Sequence, residues 1–489
     1  MGFANAASCF LRRRGTRMSH SFNCCYNHHH QHHFLATTLQ QRPAITNSLA
    51  YNQYCFFQHQ LWLSRRRLRT TECNPAQKSV VLDERSRGSG RIQRIVQVQK
   101  KIGTIKEVVI PLCERTETHA VSLKELLLWR KCAQALAVSV ASRFCDLDGG
   151  PTGKELLREL DWYLDDAIAK CNPIMVCEAA GFQQIEHQEL NSWRELKAWL
   201  SISDFEEFQL DEEATSGLEC DDKIFSDSAK TSADAALFTR EMPKAHVLLR
   251  TSMESLIENW QERIHKRRPF QYVVGCAHWR DLVLSVQEGV LIPRPETEQM
   301  IDLASAAISE HEFLKRGVWA DLGTGSGAIA IGLARLLEAD GLVFAVDASE
   351  IAVAVATQNV RRYGLQGRVE VIQGSWFSPL QDTKLVGVLS NPPYIPSKNI
   401  GDLQAEVGKH EPECALDGGP NGVDALFLIC QGSALALCTG GFLALETNGG
   451  KQAQVVAEFL ITMLGTYFCN VRIVEDYFGI RRFVLATHR

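Results

Sequence analysis

The chain has 489 residues, a length that predicts two domains with additional segments. Its 16 cysteines include no C-x-x-C pair and no Cys/His spacing suited to zinc, which indicates reduced structural thiols and no metal site. No uninterrupted apolar run reaches the roughly 18 residues that a membrane-spanning helix needs, so we expect no membrane association.

Residues 1–71 differ in composition from the rest of the chain. They hold nine arginines and no aspartate, glutamate or lysine, whereas the whole chain carries a net charge of −5. Such a segment is typical of an organellar transit peptide that is removed on import. A basic arm that binds nucleic acid is the alternative. The run from His28 to His33 can bind a metal in principle, but here we interpret it as low-complexity sequence. Residues 72–118 are predicted to form a linker.

Residues 119–269 are predicted to form a small helical domain. Helix-start patterns of the form S/T-x-x-E begin at Ser122, Ser192 and Thr251, and a further amphipathic segment runs from Glu155 to Ile168. Apolar residues recur at helical spacing in these segments, and such stripes are typical of helices that share a core.

An acidic insertion, about 204–236, interrupts this helical domain. The stretch from Asp204 to Asp222 holds nine acidic residues and no lysine or arginine, which predicts a solvated, disordered segment. A contact for a basic partner is the alternative. Residues 270–292 alternate apolar and polar side chains, which predicts a β-hairpin that connects the helical domain to residues 293–489.

The pattern of residues 293–489 predicts an α/β domain with a seven-stranded, mostly parallel sheet that has one reversed strand near its end. A helix is expected after Pro293-Arg294-Pro295. The predicted strands are 318–322, 342–346, 369–373, 385–390, 441–445, 470–475 and 482–487.

A glycine-rich turn follows the first of these strands and precedes an apolar helix. Its residues are Gly323, Thr324, Gly325, Ser326 and Gly327. Strand, glycine turn and helix form the opening of a nucleotide-type βαβ unit, and Asp347 ends the next strand, where it can accept hydrogen bonds from ribose hydroxyls. Position 328 is alanine and no phosphate-binding lysine follows, so the pattern favours a nucleoside ligand without a pyrophosphate, such as S-adenosylmethionine.

Asn391-Pro392-Pro393-Tyr394 ends the fourth predicted strand. Two consecutive prolines cannot continue a central strand, so these residues are expected at the carboxyl edge of the sheet, where ligands bind in open α/β folds. The Asn391 side-chain carbonyl and the Pro392 main-chain carbonyl can accept the two protons of a planar –NH2 group, and Tyr394 can stack on its face. A proline turn with a surface asparagine and a packed tyrosine is the alternative.

Several motifs together resemble one family. They are DLGTGSGAIAI, NPPY, RRPFQYVVG, LIPRPETE, QGSWF, HEPECALDGGPNG and EDYFGIRRFVLA. These motifs resemble the HemK/PrmC family of protein-glutamine N5-methyltransferases, which modify peptide-chain release factors, and RRPFQYVVG through LIPRPETE is similar to its plant organellar branch. The resemblance is close over residues 245–489 and weaker from about 120 to 245.

The resemblance implies a class I, Rossmann-like methyltransferase fold and S-adenosylmethionine as the methyl donor. It implies that Trp376 lies against the adenine ring, with a core tryptophan as the alternative, and that the helical domain grips the release factor. Relatives often have aspartate where this chain has Ser375. The plant branch favours the chloroplast over the mitochondrion, and we expect a monomer.

The implied substrate is the glutamine of the Gly-Gly-Gln motif in an organellar release factor. Its amide nitrogen is a poor nucleophile, so we expect Asn391, Pro392 and Tyr394 to act by alignment at about 3–3.5 Å from the methyl group. No general base is predicted, and His410 and Glu411 are expected to shape a loop over the site.

Two other functions compete with this reading. Asn-Pro-Pro-Tyr also suits the exocyclic amines of adenine or guanine, but the chain beyond residue 71 is acidic, whereas phosphate binding favours a basic face. A non-catalytic release-factor or ribosome-binding module is the second alternative, and the intact glycine turn and Asp347 count against it.

Overall fold

The structure is a computed structural model that describes residues 108–171, 174–179, 182–187, 189–202 and 245–489. The predicted transit peptide (1–71) and acidic insertion (about 204–236) lie outside these residues, as does most of the predicted linker. Within the described part of the chain, no helix combines the length and apolar character needed to cross a bilayer.

The helices are α1 (Leu123–Asp148), α2 (Gly153–Ala167), α3 (Trp193–Ile202), α4 (Met253–His265), α5 (Phe270–Val274), α6 (Gln299–Glu310), α7 (Ala328–Ala334), α8 (Glu350–Arg362), α9 (Ala405–Gly408), α10 (Asp424–Ala436) and α11 (Lys451–Thr462).

The strands are β1 (His119–Ser122), β2 (Ile168–Cys171), β3 (Ile174–Ala179), β4 (Phe182–His187), β5 (His246–Leu249), β6 (Cys276–Trp279), β7 (Leu282–Ser285), β8 (Val318–Leu322), β9 (Leu342–Asp347), β10 (Val369–Gln373), β11 (Leu385–Ser390), β12 (Leu437–Glu446), β13 (Phe468–Glu475) and β14 (Arg481–His488).

The predicted seven-stranded sheet is confirmed. Its order is β10-β9-β8-β11-β12-β14-β13, and all pairs are parallel except those that β14 makes with β12 and β13. The central strands are buried on both faces and therefore appear in the sequence as continuous apolar runs. Gly387 in β11 lets the Trp319 indole lie across the strand, since a Cβ there would sit 2.2 Å from Trp319 Cε3.

The sequence pattern predicts a purely helical domain before the seven-stranded sheet, but the structure also has strands there. A three-stranded antiparallel sheet, β1-β5-β2, joins the helices. These strands have four residues each, too few to display an alternating pattern, and their partners are far apart in sequence. The helices share one core, in which Leu160, Trp260 and Ile264 are almost fully buried.

Helix starts follow the expected chemistry, with one shift. Ser122 Oγ accepts from the Glu125 N–H at 3.1 Å, as predicted for α1. Helix α4 begins one residue later than predicted, because Ser252 and not Thr251 is the cap and accepts from the Ser255 N–H at 3.2 Å. The serine and threonine hydroxyls are adjacent, so the sequence pattern alone does not choose between them.

A complete capping box was missed at the start of α2. Thr152 Oγ1 accepts from the Glu155 N–H, and the Glu155 carboxylate accepts from the Thr152 N–H at 2.8 Å.

Two predicted connections are corrected. In the predicted linker 72–118, Leu112 and Cys113 are buried in the core of the helical part, because the segment 112–114 forms a 3₁₀ turn against it. The predicted hairpin 270–292 is shorter: residues 270–274 form helix α5, and only β6 and β7 pair. Gly275, at φ 75°, ends the helix in a left-handed conformation that favours glycine.

Candidate active site

A cavity of about 280 Å³ opens at the carboxyl ends of the central strands. Because the carboxyl ends of parallel strands meet at one edge of a sheet, residues that are distant in sequence converge there. The predicted site residues that line it are Gly323, Thr324, Gly325, Ser326, Asp347, Trp376, Asn391 and Pro393. Gly327, Pro392 and Tyr394 are sequence neighbours of residues that line the cavity, but they do not line it themselves.

The Asp347 carboxylate holds the glycine turn. Its Oδ2 accepts from the Gly325 N–H at 2.8 Å, and its Oδ1 accepts from the Ser349 N–H at 2.9 Å. Gly323 and Gly325 have φ of 74° and 55°, which favours glycine at both positions. Burial raises the pKa of Asp347, while backbone donors, Ser349 and Gly325 among them, oppose the shift. A carboxylate can accept about four hydrogen bonds, so Asp347, which lines the cavity, can also accept from ribose hydroxyls.

Asp321 supports the turn from beneath and was not singled out from the sequence. Its carboxyl group is fully buried; Oδ2 accepts from Thr324 Oγ1 at 2.6 Å and from the Ala330 N–H at 3.0 Å. Burial raises the pKa of Asp321 to about 7. Its position near the end of β8, two residues before the first glycine of the turn, was the available signal.

Trp376 lies beside the glycine turn. A methyl group on Gly323 would sit 3.5 Å from Trp376 Cζ3 and 3.9 Å from the main-chain oxygen of Asn391. Trp376 has φ 46°, an uncommon conformation for a bulky residue and one that is often found at functional sites. Its ring therefore bounds the cavity between the turn and the end of β11, and Ser375 also lines the cavity.

The Asn391 side chain is held by one hydrogen bond. Its Nδ2 donates to Thr297 Oγ1 at 3.0 Å, and its Oδ1 accepts no hydrogen bond from the described residues. The preceding Ser390 is buried, and its Oγ donates to the Leu322 carbonyl at 2.6 Å, which ties the end of β11 to β8. Asn391 therefore brings an unused carbonyl oxygen to the cavity wall.

Tyr394 does not line the cavity. The residue is half-buried, packs against the core on one face of the sheet, and donates from its hydroxyl to Glu446 Oε1 at 3.3 Å. Burial raises the pKa of Tyr394, so the hydroxyl remains a donor at neutral pH. Its stacking on a substrate amide stays a prediction.

Sequence analysis also missed Thr297 and Glu446. Thr297 lines the cavity, and Glu446 ends β12 with 1% of its surface exposed. Burial raises the pKa of Glu446 to about 7, and the charge of Arg482 and the hydrogen bond from the Tyr394 hydroxyl at 3.3 Å oppose the shift. A carboxylate at the end of a parallel strand was the signal that pointed to Glu446.

The loop over the cavity is fixed by an ion pair. Arg294 Nη2 lies 2.8 Å from Glu411 Oε2, and the Glu411 side chain is 2% exposed. The neighbouring residues Pro412 and Cys414 line the cavity. His410 contacts the Lys266 carbonyl at 2.8 Å instead.

One group of possible metal ligands occurs among the described residues, away from the cavity lining. The ligand atoms of Cys113, Asp166 and Cys276 lie within 4.8 Å of one another, and all three residues are buried. Three such ligands form an incomplete set for a structural zinc ion, which normally takes four.

Comparisons with known proteins give a consistent picture. A family model described as "Methyltransferase small domain" matches residues 297–407. The release factor glutamine methyltransferase of Gloeobacter violaceus is 46% identical over 49% of this chain and 81% of its own length. The protein of the same name from Thermosynechococcus vestitus is 42% identical over 50% of this chain and 82% of its own length.

A similarity to a solved structure accompanies these matches. The methyltransferase from Pyrococcus furiosus aligns over 42% of this chain and 89% of its own, with 16% identity and a TM-score of 0.31.

Proposed function

The chain belongs to the release factor glutamine methyltransferase family, and from that premise we propose that it methylates the side-chain amide nitrogen of the glutamine in the Gly-Gly-Gln motif of an organellar release factor. It is a methyltransferase that uses S-adenosylmethionine. The names of the relatives support a release factor as the substrate. The geometry of the site supports methyl transfer to an amide nitrogen.

The observation that supports this chemistry best is the orientation of the Asn391 carboxamide. Its amino group donates to Thr297, so its oxygen remains available at the cavity wall. A glutamine –NH2 has two protons and needs two acceptors. The Asn391 oxygen supplies one, and we assign the second to the carbonyl of Pro392, whose rigid neighbour Pro393 lines the cavity.

The residues around the cavity fit the methyl donor. The Asp347 carboxylate can accept from ribose hydroxyls, the Trp376 ring provides an apolar face for adenine, and the glycine turn allows close approach of the backbone. The bound cofactor supplies an activated methyl group on a sulfonium. Asn391 and the Pro392 carbonyl then have to hold the amide nitrogen in line, which removes much of the entropic barrier.

Two acceptors for two N–H groups also predict selectivity for glutamine over glutamate. A glutamate carboxylate would place oxygen against both acceptors and leave them unpaired, and a site built to pair an –NH2 can reject such an analogue by roughly 10⁴-fold. No basic side chain is required, because the proton can leave the nitrogen after the methyl group has been transferred.

We also place the mature protein in an organelle, with the chloroplast as first choice and the mitochondrion as the alternative. The arginine-rich, acid-free composition of residues 1–71 and the plant-type RRPFQYVVG to LIPRPETE stretch support this assignment. We further propose that the enzyme acts as a monomer.

Mass spectrometry of a chloroplast release factor incubated with the protein and S-adenosylmethionine tests the proposal. We expect a single added methyl group on the Gly-Gly-Gln glutamine, and none on a control release factor in which that glutamine is replaced by glutamate. Transfer to adenine-containing RNA but not to the release factor would refute it. Fusion of residues 1–71 to a fluorescent protein tests the localisation separately.

A further inference from the structure

The chain leaves the sheet after Asn-Pro-Pro-Tyr and returns beside the same point. Ile395 forms an isolated parallel bridge with Asp417, and its N–H donates to the Leu416 carbonyl at 2.9 Å. We call the residues between these ends, 396–415, the cavity loop, because its last part lines the cavity with Pro412, Cys414 and Ala415. The contacts that hold the cavity loop between its two ends therefore set the position of that wall.

The helical part of the chain holds the cavity loop at the start of α9. The Gln404 side chain donates from Nε2 to the Gly149 carbonyl at 2.7 Å. The Ala405 N–H donates to Asp148 Oδ2 at 2.8 Å. Asp148 is the last residue of α1, and Gly149 follows it. The end of one long helix is thus fastened to the beginning of α9.

Glu406, the second residue of α9, joins a cluster of charged side chains in the helical part. Its carboxylate accepts from Arg263 Nη1 at 3.0 Å and from Arg267 Nε at 2.7 Å. Each arginine also has a carboxylate partner within the helical part. Arg263 donates twice to Glu159, at 2.7 and 3.1 Å, and Arg267 donates to Asp148 at 3.1 Å. Two arginines and two carboxylates are balanced there, and Glu406 adds a third carboxylate from the cavity loop.

The added carboxylate lies among buried groups. The side chains of Arg263, Arg267 and Glu406 are 3%, 7% and 12% exposed. Like charges that share such a site repel each other: burial raises the pKa of Glu159, and the charge of Glu406 raises it further, while Arg263 opposes both effects. The charge balance of the helical part does not require Glu406. We infer that the contact serves the cavity loop.

The backbone at Arg267 is adapted to this contact. Arg267 has φ 58°, an uncommon conformation for a residue with a long side chain and one that costs free energy. Its guanidinium lies over the Phe144 ring, 4.3 Å from the centroid. A methyl group on Gly150 would overlap the guanidinium, so glycine is needed at that position. Three separate features therefore fix the direction in which Arg267 extends.

Main-chain hydrogen bonds connect Glu406 to the cavity. Within and after α9, the Lys409 N–H donates to the Ala405 carbonyl at 3.1 Å and the Glu411 N–H donates to the Val407 carbonyl at 3.0 Å. The next turn closes when the Ala415 N–H donates to the Pro412 carbonyl at 2.9 Å. A displacement of Glu406 is therefore transmitted through short, hydrogen-bonded turns to the residues that line the cavity.

We propose that Glu406 is a positioning residue through which the helical part holds the cavity loop against the bound cofactor and sets the rate at which the cofactor leaves. Without Glu406, both arginines keep a partner in the helical part, whereas the cavity loop loses its two ion pairs. The wall formed by the end of the loop can then move away from the cavity more often. The proposal concerns the methyl donor, so it does not depend on which amide is methylated.

The deciding variant is Glu406→Ala in the full chain. We expect the dissociation rate of S-adenosylhomocysteine, measured by stopped flow, to rise roughly ten- to a hundredfold, because two hydrogen bonds between charged groups are lost. The KM for S-adenosylmethionine should rise by a similar factor. The single-turnover rate at saturating cofactor should stay within about threefold of wild type, since Asn391 and Pro392 are not changed.

Three further variants separate positioning from a general loss of structure. Glu406→Gln keeps one acceptor oxygen and should show a smaller effect than Glu406→Ala. Arg267→Ala should raise the dissociation rate, and the Arg267→Ala/Glu406→Ala double variant should raise it little more than either single variant, because both remove the same contact. Glu413→Ala is the matched control, since Glu413 is an exposed carboxylate of the same loop, and it should leave the rate unchanged.

Hydrogen exchange gives a readout that is independent of activity. In Glu406→Ala the amides of residues 409–415 should exchange faster than in the wild type, while those of α1 and α4 should be unchanged. A wild-type dissociation rate in Glu406→Ala would overturn the proposal, as would an equal rise in Glu413→Ala. Faster exchange throughout the helical part would also overturn it, since Glu406 would then serve the fold. If the rates change as expected but no glutamine is methylated, the proposed function fails and the role of Glu406 stands.

Discussion

Replacement of Asn391 by alanine is the most direct test of the amide-binding site. The substitution removes the Asn391 side-chain oxygen that we propose as an acceptor for the substrate amide, and it breaks a single internal hydrogen bond, to Thr297 at 3.0 Å. Because the side chain is only partly buried and makes no other hydrogen bond, we expect the free energy of unfolding to fall by only about 1 kcal/mol. The contacts of Asp347 with the glycine turn are not changed.

The effect on catalysis should be much larger. In the closed site one substrate N–H loses its acceptor, which costs about 1–3 kcal/mol, and the nitrogen is no longer held in line with the methyl group. A misplacement of about 1 Å costs roughly 10²-fold in rate. Together these terms predict a loss of about 10²- to 10³-fold in kcat, while the Kd of the cofactor stays within a few-fold of wild type.

Single-turnover methylation of a release factor, followed by mass spectrometry, measures the rate, and calorimetry with S-adenosylhomocysteine measures the Kd. Asn399→Ala is a matched control, since Asn399 is exposed on the loop that follows the same motif. It should retain wild-type rate and affinity. An Asn391→Ala variant that methylates within threefold of the wild-type rate would exclude Asn391 from the mechanism.

Three further predictions concern the scaffold of the site. Asp347→Ala should weaken cofactor binding by roughly ten- to a hundredfold in calorimetry, because it removes the acceptors for ribose and releases the glycine turn; unchanged affinity would contradict this assignment. Gly387→Ala should destabilise the protein by at least about 1–3 kcal/mol in urea unfolding, because the new methyl group would overlap the Trp319 ring; a wild-type midpoint would refute it. Burial raises the pKa of Asp321 to about 7, so the folded protein binds that proton more tightly than the unfolded chain, and stability should fall by up to about 4 kcal/mol between pH 4 and pH 7. Asp321→Asn should lose this part of the pH dependence, and an identical slope in both proteins would refute it.

Sequence patterns predicted the sheet closely and the helical part less well. Each central strand is a continuous apolar run, and strand β11 was predicted with the bounds Leu385–Ser390 that the structure shows. The three short strands β1, β2 and β5 were missed, because four residues that pair with distant partners carry almost no local signal. The helix at 270–274 was read as a strand for a related reason, since five residues cannot distinguish the two periods.

The sequence by itself determined the order of the strands along the chain, the glycine turn, Asp347 and the end of β11 at Asn391. These features are local: apolar runs, glycines at positive φ and prolines act on the backbone where they stand. The three-dimensional fold alone decided which side chains meet behind them. Thr297, Asn391 and Glu446 come from three separate segments. A hydrogen bond depends on distance and direction in space, so no spacing in the sequence shows that Asn391 donates to Thr297 or that Tyr394 donates to Glu446.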